Sequence, residues 1–194
     1  MSGLFEEPDD ATPLTPEERD GLIPTHVALR RELNELEQQN IIDADLWVFQ
    51  RRRDPLAESF GRTLHRRMFG KVWRWAGTYR TSDKNIGIDH RLIQPRLYEA
   101  LDTTRYWVEH ATFPADQIAA TFHHKLVFIH PFPNGNGRWS RLMADVLLAG
   151  MGRPRFTLGR NSGRSPDDLR RAYVAALRTA DQHDLGPLTA FLRS

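Results

Sequence analysis

His130 to Arg141 reads His-Pro-Phe-Pro-Asn-Gly-Asn-Gly-Arg-Trp-Ser-Arg, gathering a base, a run of loop amides and two guanidinium groups into one short stretch. An imidazole with an ordinary pKa of about 6.5 takes and gives a proton near neutral pH. Gly135 and Gly137 flank Asn136 just before an apolar helical repeat resumes. Glycine lets the backbone turn tightly and leaves its N–H groups open to a ligand. Successive N–H groups at the start of a helix favour an anion. Arg138 and Arg141 stand three apart, which on a helix puts both on one face beside that anion site. Asp145, four beyond Arg141, is placed to hold it. The chemistry these residues supply is removal of a proton from a group that faces a bound phosphate.

Each piece alone has a plainer reading, since a histidine at a helix end is commonly a cap and Gly-Asn-Gly is commonly a turn. Together they form a string that resembles the signature of the Fic family (Fic/Doc-type nucleotidyltransferases), His-Pro-Phe-x-Asp/Glu-Gly-Asn-Gly-Arg-x-x-Arg. The departure is Asn134, which stands where the family has an acid. Arg62 to Arg80, with Leu64-His65, Met68-Phe69, Trp73 and Trp75-Ala76-Gly77, resembles the family's pre-flap helix and turn. Tyr173 to Leu192 resembles its closing helices. From Leu4-Phe5-Glu6-Glu7-Pro8 onward the chain is similar to the subfamily called mobile mystery protein B.

That resemblance implies a mainly α fold, a Fic-type helical bundle with a small β-hairpin flap. It implies transfer of AMP from ATP to a Ser, Thr or Tyr hydroxyl of a target protein, toxin-like in setting, with His130 as base. Gly135, Asn136, Gly137, Arg138 and Arg141 would bind the phosphates, Asn134 would meet Mg²⁺, and Phe132 would anchor the loop. It also implies a helix-turn-helix regulator or antitoxin-like protein as companion. Two alternatives stay open. Doc-like phosphotransfer is one, although the relatives that perform it carry Ala and Lys where Gly135 and Gly137 stand here. A nucleotide- or partner-binding module without catalysis is the other, motivated by Asn134 and by the basic run Arg51-Arg52-Arg53.

The elements that position this loop follow from periodicity. Ile118, Phe122, Leu126 and Ile129 recur at helical spacing from Pro114 to His130, and Pro131 ends the run. Trp139, Leu142, Met143, Val146 and Leu147 start a second helix that Gly150 can stop. His123 and His124 on the first helix are expected to be structural, because side chains one apart diverge by roughly 100°. Near residues 80–94 the period changes: Ile86 and Ile88 alternate and Asp89-His90 can turn the chain, which predicts a hairpin. Lys84, Asn85, Ile86, Gly87 and Ile88 are its candidate target-docking edge, a use of strand edges with a general physical basis. Pro95 begins the next helix.

Upstream, residues 1–14 are acidic and broken by Pro8 and Pro13, which predicts a flexible arm ahead of a single domain over 15–194. Thr15, Pro16 and Glu18 form a capping set for a short helix. Thr25 is the expected cap of the next, Asn40 its end, and Asp43 the start of another bearing Trp47 and Phe49. Ser165 caps a late helix, and Gly186-Pro187 opens the last.

The chain has 194 residues, 40% of them hydrophobic, enough for a core without staples. It contains no cysteine, which excludes disulfides and thiolate metal sites. No leader or long apolar run is visible, so a cytoplasmic protein away from membranes is expected. A net charge of +2 does not call for direct binding of nucleic acid.

Overall fold

The computed structural model describes residues 13–160 and 162–194, so the predicted arm lies outside the described residues except for its end. That end is packed: Leu14 is buried, and the Pro13 carbonyl accepts from Lys84 Nζ at 3.1 Å. Helix α1, Pro16–Arg19, opens with a reciprocal cap in which Thr15 Oγ1 accepts the Glu18 N–H and the Glu18 carboxylate accepts the Thr15 N–H. Helix α2, Arg30–Phe49, runs unbroken through Asn40 and Asp43, where the sequence predicts a stop and a restart. Burial of Leu33, Asn40, Ala44 and Val48 on one stripe overrides the weak helix preference of asparagine. Its entry is closed by Glu32, whose carboxylate accepts the Ala28 and Leu29 N–H groups, and Thr25 has no part in it.

Helix α3, Glu58–Phe69, buries Leu64, Met68 and Phe69. Helix α4, Ile93–Glu109, follows a 3-10 turn at His90–Leu92 and starts ahead of Pro95, which its first turn tolerates. Helices α5, Ala115–Ile129, and α6, Asn136–Gly150, pack along one another, with the wholly buried Ala119, Ala120 and Ala144 taking little room between them. Helix α7, Pro166–Asp181, is capped by Ser165, and α8, Gly186–Arg193, packs against both α7 and α5. Side chains from these helices join one core that includes Trp73, Phe122, Phe132 and Trp139. Burying each such ring contributes about 1.5–3 kcal/mol. The indole N–H groups are satisfied, Trp73 by Glu37 at 2.7 Å and Trp139 by the Gly61 carbonyl at 2.9 Å.

The hairpin is a correction. Among the described residues no strand forms, and Leu22 pairs with Trp73 in an isolated bridge. The segment from Thr81 to Asp89 instead wraps the side chain of Arg80, which is fully buried. Its guanidinium takes the Ser82 carbonyl at 2.8 Å, the His130 carbonyl at 2.7 Å and the Ile88 carbonyl. Carbonyls aimed inward at one cation are not available for a ladder across the loop. Asp83 and Asp89 then accept the N–H groups of His90 and Arg91 and lead the chain into α4.

Candidate active site

His130 ends α5 in the left-handed conformation, with φ 53° and ψ 60°, its N–H on the Leu126 carbonyl. The following proline cannot continue the helix, and the Arg80 guanidinium holds the His130 carbonyl. Nδ1 lies 3.3 Å from the Val127 carbonyl, which can only accept, so Nδ1 carries the proton and Nε2 the lone pair. Burial pushes the imidazole down to about 4, aided by the positive charges of Arg80 and Lys84 and opposed by the Val127 contact. At neutral pH the ring is an uncharged base.

The loop is fixed from below. Phe132 is fully buried, stacked on His65 with ring centres 3.7 Å apart and edge-on to Trp139. His65 donates from Nε2 to the Asn134 carbonyl at 3.0 Å and accepts the Gly77 N–H on Nδ1, so both ring nitrogens are used and its burial drives its pKa to about 3. The Asn136 side chain clamps Phe132, accepting its N–H and donating to its carbonyl. Asn134 Oδ1 accepts the Gly135 N–H at 2.6 Å. This corrects the expectation that the Gly135 amide faces a ligand; the helix-end amides are those of Asn136, Gly137 and Arg138, which helix geometry leaves without intrahelical acceptors. Gly135 itself is required, since φ is +80° and a Cβ would stand 2.5 Å from Phe69 Cζ.

The guanidinium groups part company. Arg141 donates to the Gly137 carbonyl at 2.9 Å and lies over the Tyr173 ring. Asp145 does not hold it: that carboxylate takes Arg155 and the Phe156 N–H, anchoring the loop after α6. Arg138 lies over Phe69 and donates to Glu37 at 2.7 Å. Both arginines, His130 and the segment 134–137 line a cavity of about 630 Å³. Asn85, Ile86 and Gly87 form its roof, and Phe128 with Tyr173, Val174, Leu177 and Asp181 forms the far wall. Lys84 and Ile88 of the expected docking edge do not line it: Lys84 is buried against Glu18, and Ile88 gives its carbonyl to Arg80. Gly87, with φ +96°, lies so close over His130 that a Cβ would meet the His130 Cβ at 2.6 Å. His123 reaches the Tyr173 hydroxyl at 2.9 Å and His124 reaches Asp181 at 2.8 Å. Arg53 of the basic run stacks on Trp47.

Asn134 offers a divalent cation one neutral oxygen, to which Gly135 already donates. A hard ion prefers carboxylate and phosphate oxygens. Among the described residues the one cluster of three possible ligands is Asp83, Asp89 and His90, and there His90 bonds Asp83 while Arg91 bonds Asp89. The loop residues therefore do not by themselves make a magnesium site.

Glu37, His65, Arg80 and Tyr173 carry no site assignment in the sequence reading. For Glu37 a signal exists: it is a carboxylate on the buried stripe of α2, four after Leu33 and seven before Ala44, where an acid needs a partner. Arg80 offers none, because its carbonyl partners come from two segments about 40 residues apart, the loop that follows it and the end of α5.

Residues 55–148, from just ahead of α3 to most of α6, match the model of the Fic/DOC family. Protein adenylyltransferase fic-1 of Caenorhabditis elegans is 32% identical over 133 residues, 66% of this chain and 25% of that protein. Protein adenylyltransferase Fic of Drosophila melanogaster is 33% identical over 138 residues, 66% of this chain and 26% of that one. The chain thus spans about a quarter of the curated relatives it matches. Among solved structures, residues 134–508 of Fic-1 from C. elegans give a TM-score of 0.67 at 23% identity, covering 90% of this chain and 51% of that one. BepC from Bartonella tribocorum with bound AMPPNP gives 0.70 at 16% identity, covering 92% and 97%. These structures share the fold.

Proposed function

We propose that the protein transfers AMP from ATP to a hydroxyl group of a target protein. The observation that carries this reading is that the neutral His130 imidazole, the amide-bearing start of α6 and Arg141 all line one cavity. His130 Nε2 takes the proton of a Ser, Thr or Tyr hydroxyl. The oxygen attacks the α-phosphorus, the bond to the bridging oxygen breaks, and pyrophosphate leaves. Amides of Asn136 and Gly137 hold the α-phosphate oxygens, while Arg138 and Arg141 receive the outer phosphates. Phe128, Val174 and Leu177 suit a base, with the Asp181 carboxylate to accept from its amino group. Mg²⁺ would come as the ion of the ATP substrate, where it would offset phosphate charge, and Asn134 is the loop side chain that would offer it an oxygen.

Asn85, Ile86 and Gly87 are the docking edge for the target segment, above His130. The names of the curated relatives support this activity. Gly135 over Phe69 leaves no room for the alanine of Doc-like phosphotransferases. As parts of the same reading, the chain resembles mobile mystery protein B, answers to a helix-turn-helix companion in toxin-antitoxin fashion, and acts in the cytoplasm. No described helix is long and apolar enough to cross a membrane.

Incubation with ATP labelled at the α- or γ-phosphate tests the chemistry. We expect α-label retained on protein, and a loss of about 10²- to 10⁴-fold in His130→Ala with nucleotide binding intact. Retained γ-label would mean phosphotransfer, no label would mean binding alone, and a wild-type rate in His130→Ala would remove the base.

A further inference from the structure

Glu37 joins the cavity to a helix that lies outside the segment matched by the family model. Its side chain is 6% exposed, and each oxygen has a partner: one accepts Trp73 Nε1 at 2.7 Å, the other accepts Arg138 at 2.7 Å. A carboxylate taken out of water needs both a cation and donors, and here it has them. Glu37 does not line the cavity, so it meets the guanidinium from the protein side. Arg138 has five N–H donors in a fixed plane, and Phe69 lies against that plane. The same ring fills the space beneath Gly135, so the arginine and the anion-binding turn share one support.

A carboxylate on a phosphate-binding arginine has two opposed effects. It offsets part of the positive charge, and it removes the freedom of a long side chain. The second governs here, because the Trp73 bond keeps Glu37 from swinging into the cavity to take a phosphate's place. We propose that Glu37 is a positioning residue that fixes the Arg138 guanidinium and aims its remaining N–H groups at the outer phosphates of the nucleotide. The inference rests on the nucleotide reading of the cavity.

The test uses α,β-methylene ATP, whose reacting bond is blocked, and AMP, which lacks the outer phosphates. Each is titrated by calorimetry into wild type, Glu37→Gln, Arg138→Ala and the double variant. Glu37→Gln keeps the volume and an acceptor for Trp73 while losing the charge. It is expected to weaken binding of the triphosphate about tenfold, in keeping with one charge-assisted hydrogen bond. AMP should change by less than about twofold, and in the Arg138→Ala background Glu37→Gln should add nothing, the mark of two residues acting as one. Should Glu37→Gln fail to fold, Glu37→Asp, charged but too short, is expected to weaken the triphosphate about threefold by misplacing Arg138. Unchanged or tighter triphosphate binding in the folded variant overturns the proposal, and so does an equal loss for both ligands. A wild-type protein that binds neither ligand is a separate result: it removes the nucleotide reading, and the inference with it.

Discussion

Asn134 has two contacts that a carboxylate could keep, its carbonyl on His65 and its side-chain oxygen on the Gly135 N–H. Replacing it by aspartate therefore adds charge while keeping these two contacts. With a negative oxygen in place of a neutral one, the ion of the ATP substrate is held more strongly. We expect Asn134→Asp to lower the Mg²⁺ concentration needed for half-maximal transfer, read from initial rates across a magnesium series. An unchanged or raised requirement would place the ion elsewhere. At this scale the signature was legible because its parts are neighbours in the chain: a helix stop, a glycine turn and an arginine spacing all lie within a few residues. The partners of those parts were not. Arg138 answers to Glu37, 101 residues away, and periodicity alone does not say which buried acid meets which arginine.

Among the elements, the loop over His130 has the most to do with its neighbours. Alternating Ile86 and Ile88 carry the period of a strand, yet Arg80 collects the carbonyls a strand would need. Local pattern loses to one buried cation whose requirements are set elsewhere in the fold. The opposite happened in α5 and α6, where strong apolar repeats and a proline between them gave the helix ends nearly as built. The Asn40 break failed for the reason that buried neighbours outweigh a single residue's preference. The loop's closeness to the base rests on Gly87. Adding a methyl group there meets His130 and a backbone that favours glycine, so the roof must lift. We expect Gly87→Ala to cut transfer by about 10- to 100-fold through misplacement of the acceptor, with little change in thermal unfolding. Wild-type transfer by that variant would show that the loop does not seat the acceptor.

On the scale of the whole molecule, three histidines are held uncharged by burial: His65 and His123 at about 3 and His130 at about 4, against an ordinary 6.5. A folded-state value below the unfolded one means that unfolding takes up protons. The stability these groups contribute is therefore complete above about pH 6.5 and drains away as pH falls from there until the folded rings themselves charge, at about 4 to 3. With three such sites the slope approaches about 4 kcal/mol per pH unit at its steepest. Asp145, raised by its burial, opposes this in part. Denaturant midpoints measured at pH 7.5, 6 and 5 should fall progressively, and a flat series would mean that these rings are charged in the fold. The start of the described chain has a mechanical consequence of its own. Glu18 caps α1 and also meets Lys84 beside the roof of the cavity, so one carboxylate ties the first helix to that roof. A change that unseats the first helix therefore pulls on the roof of the cavity through a single ion pair.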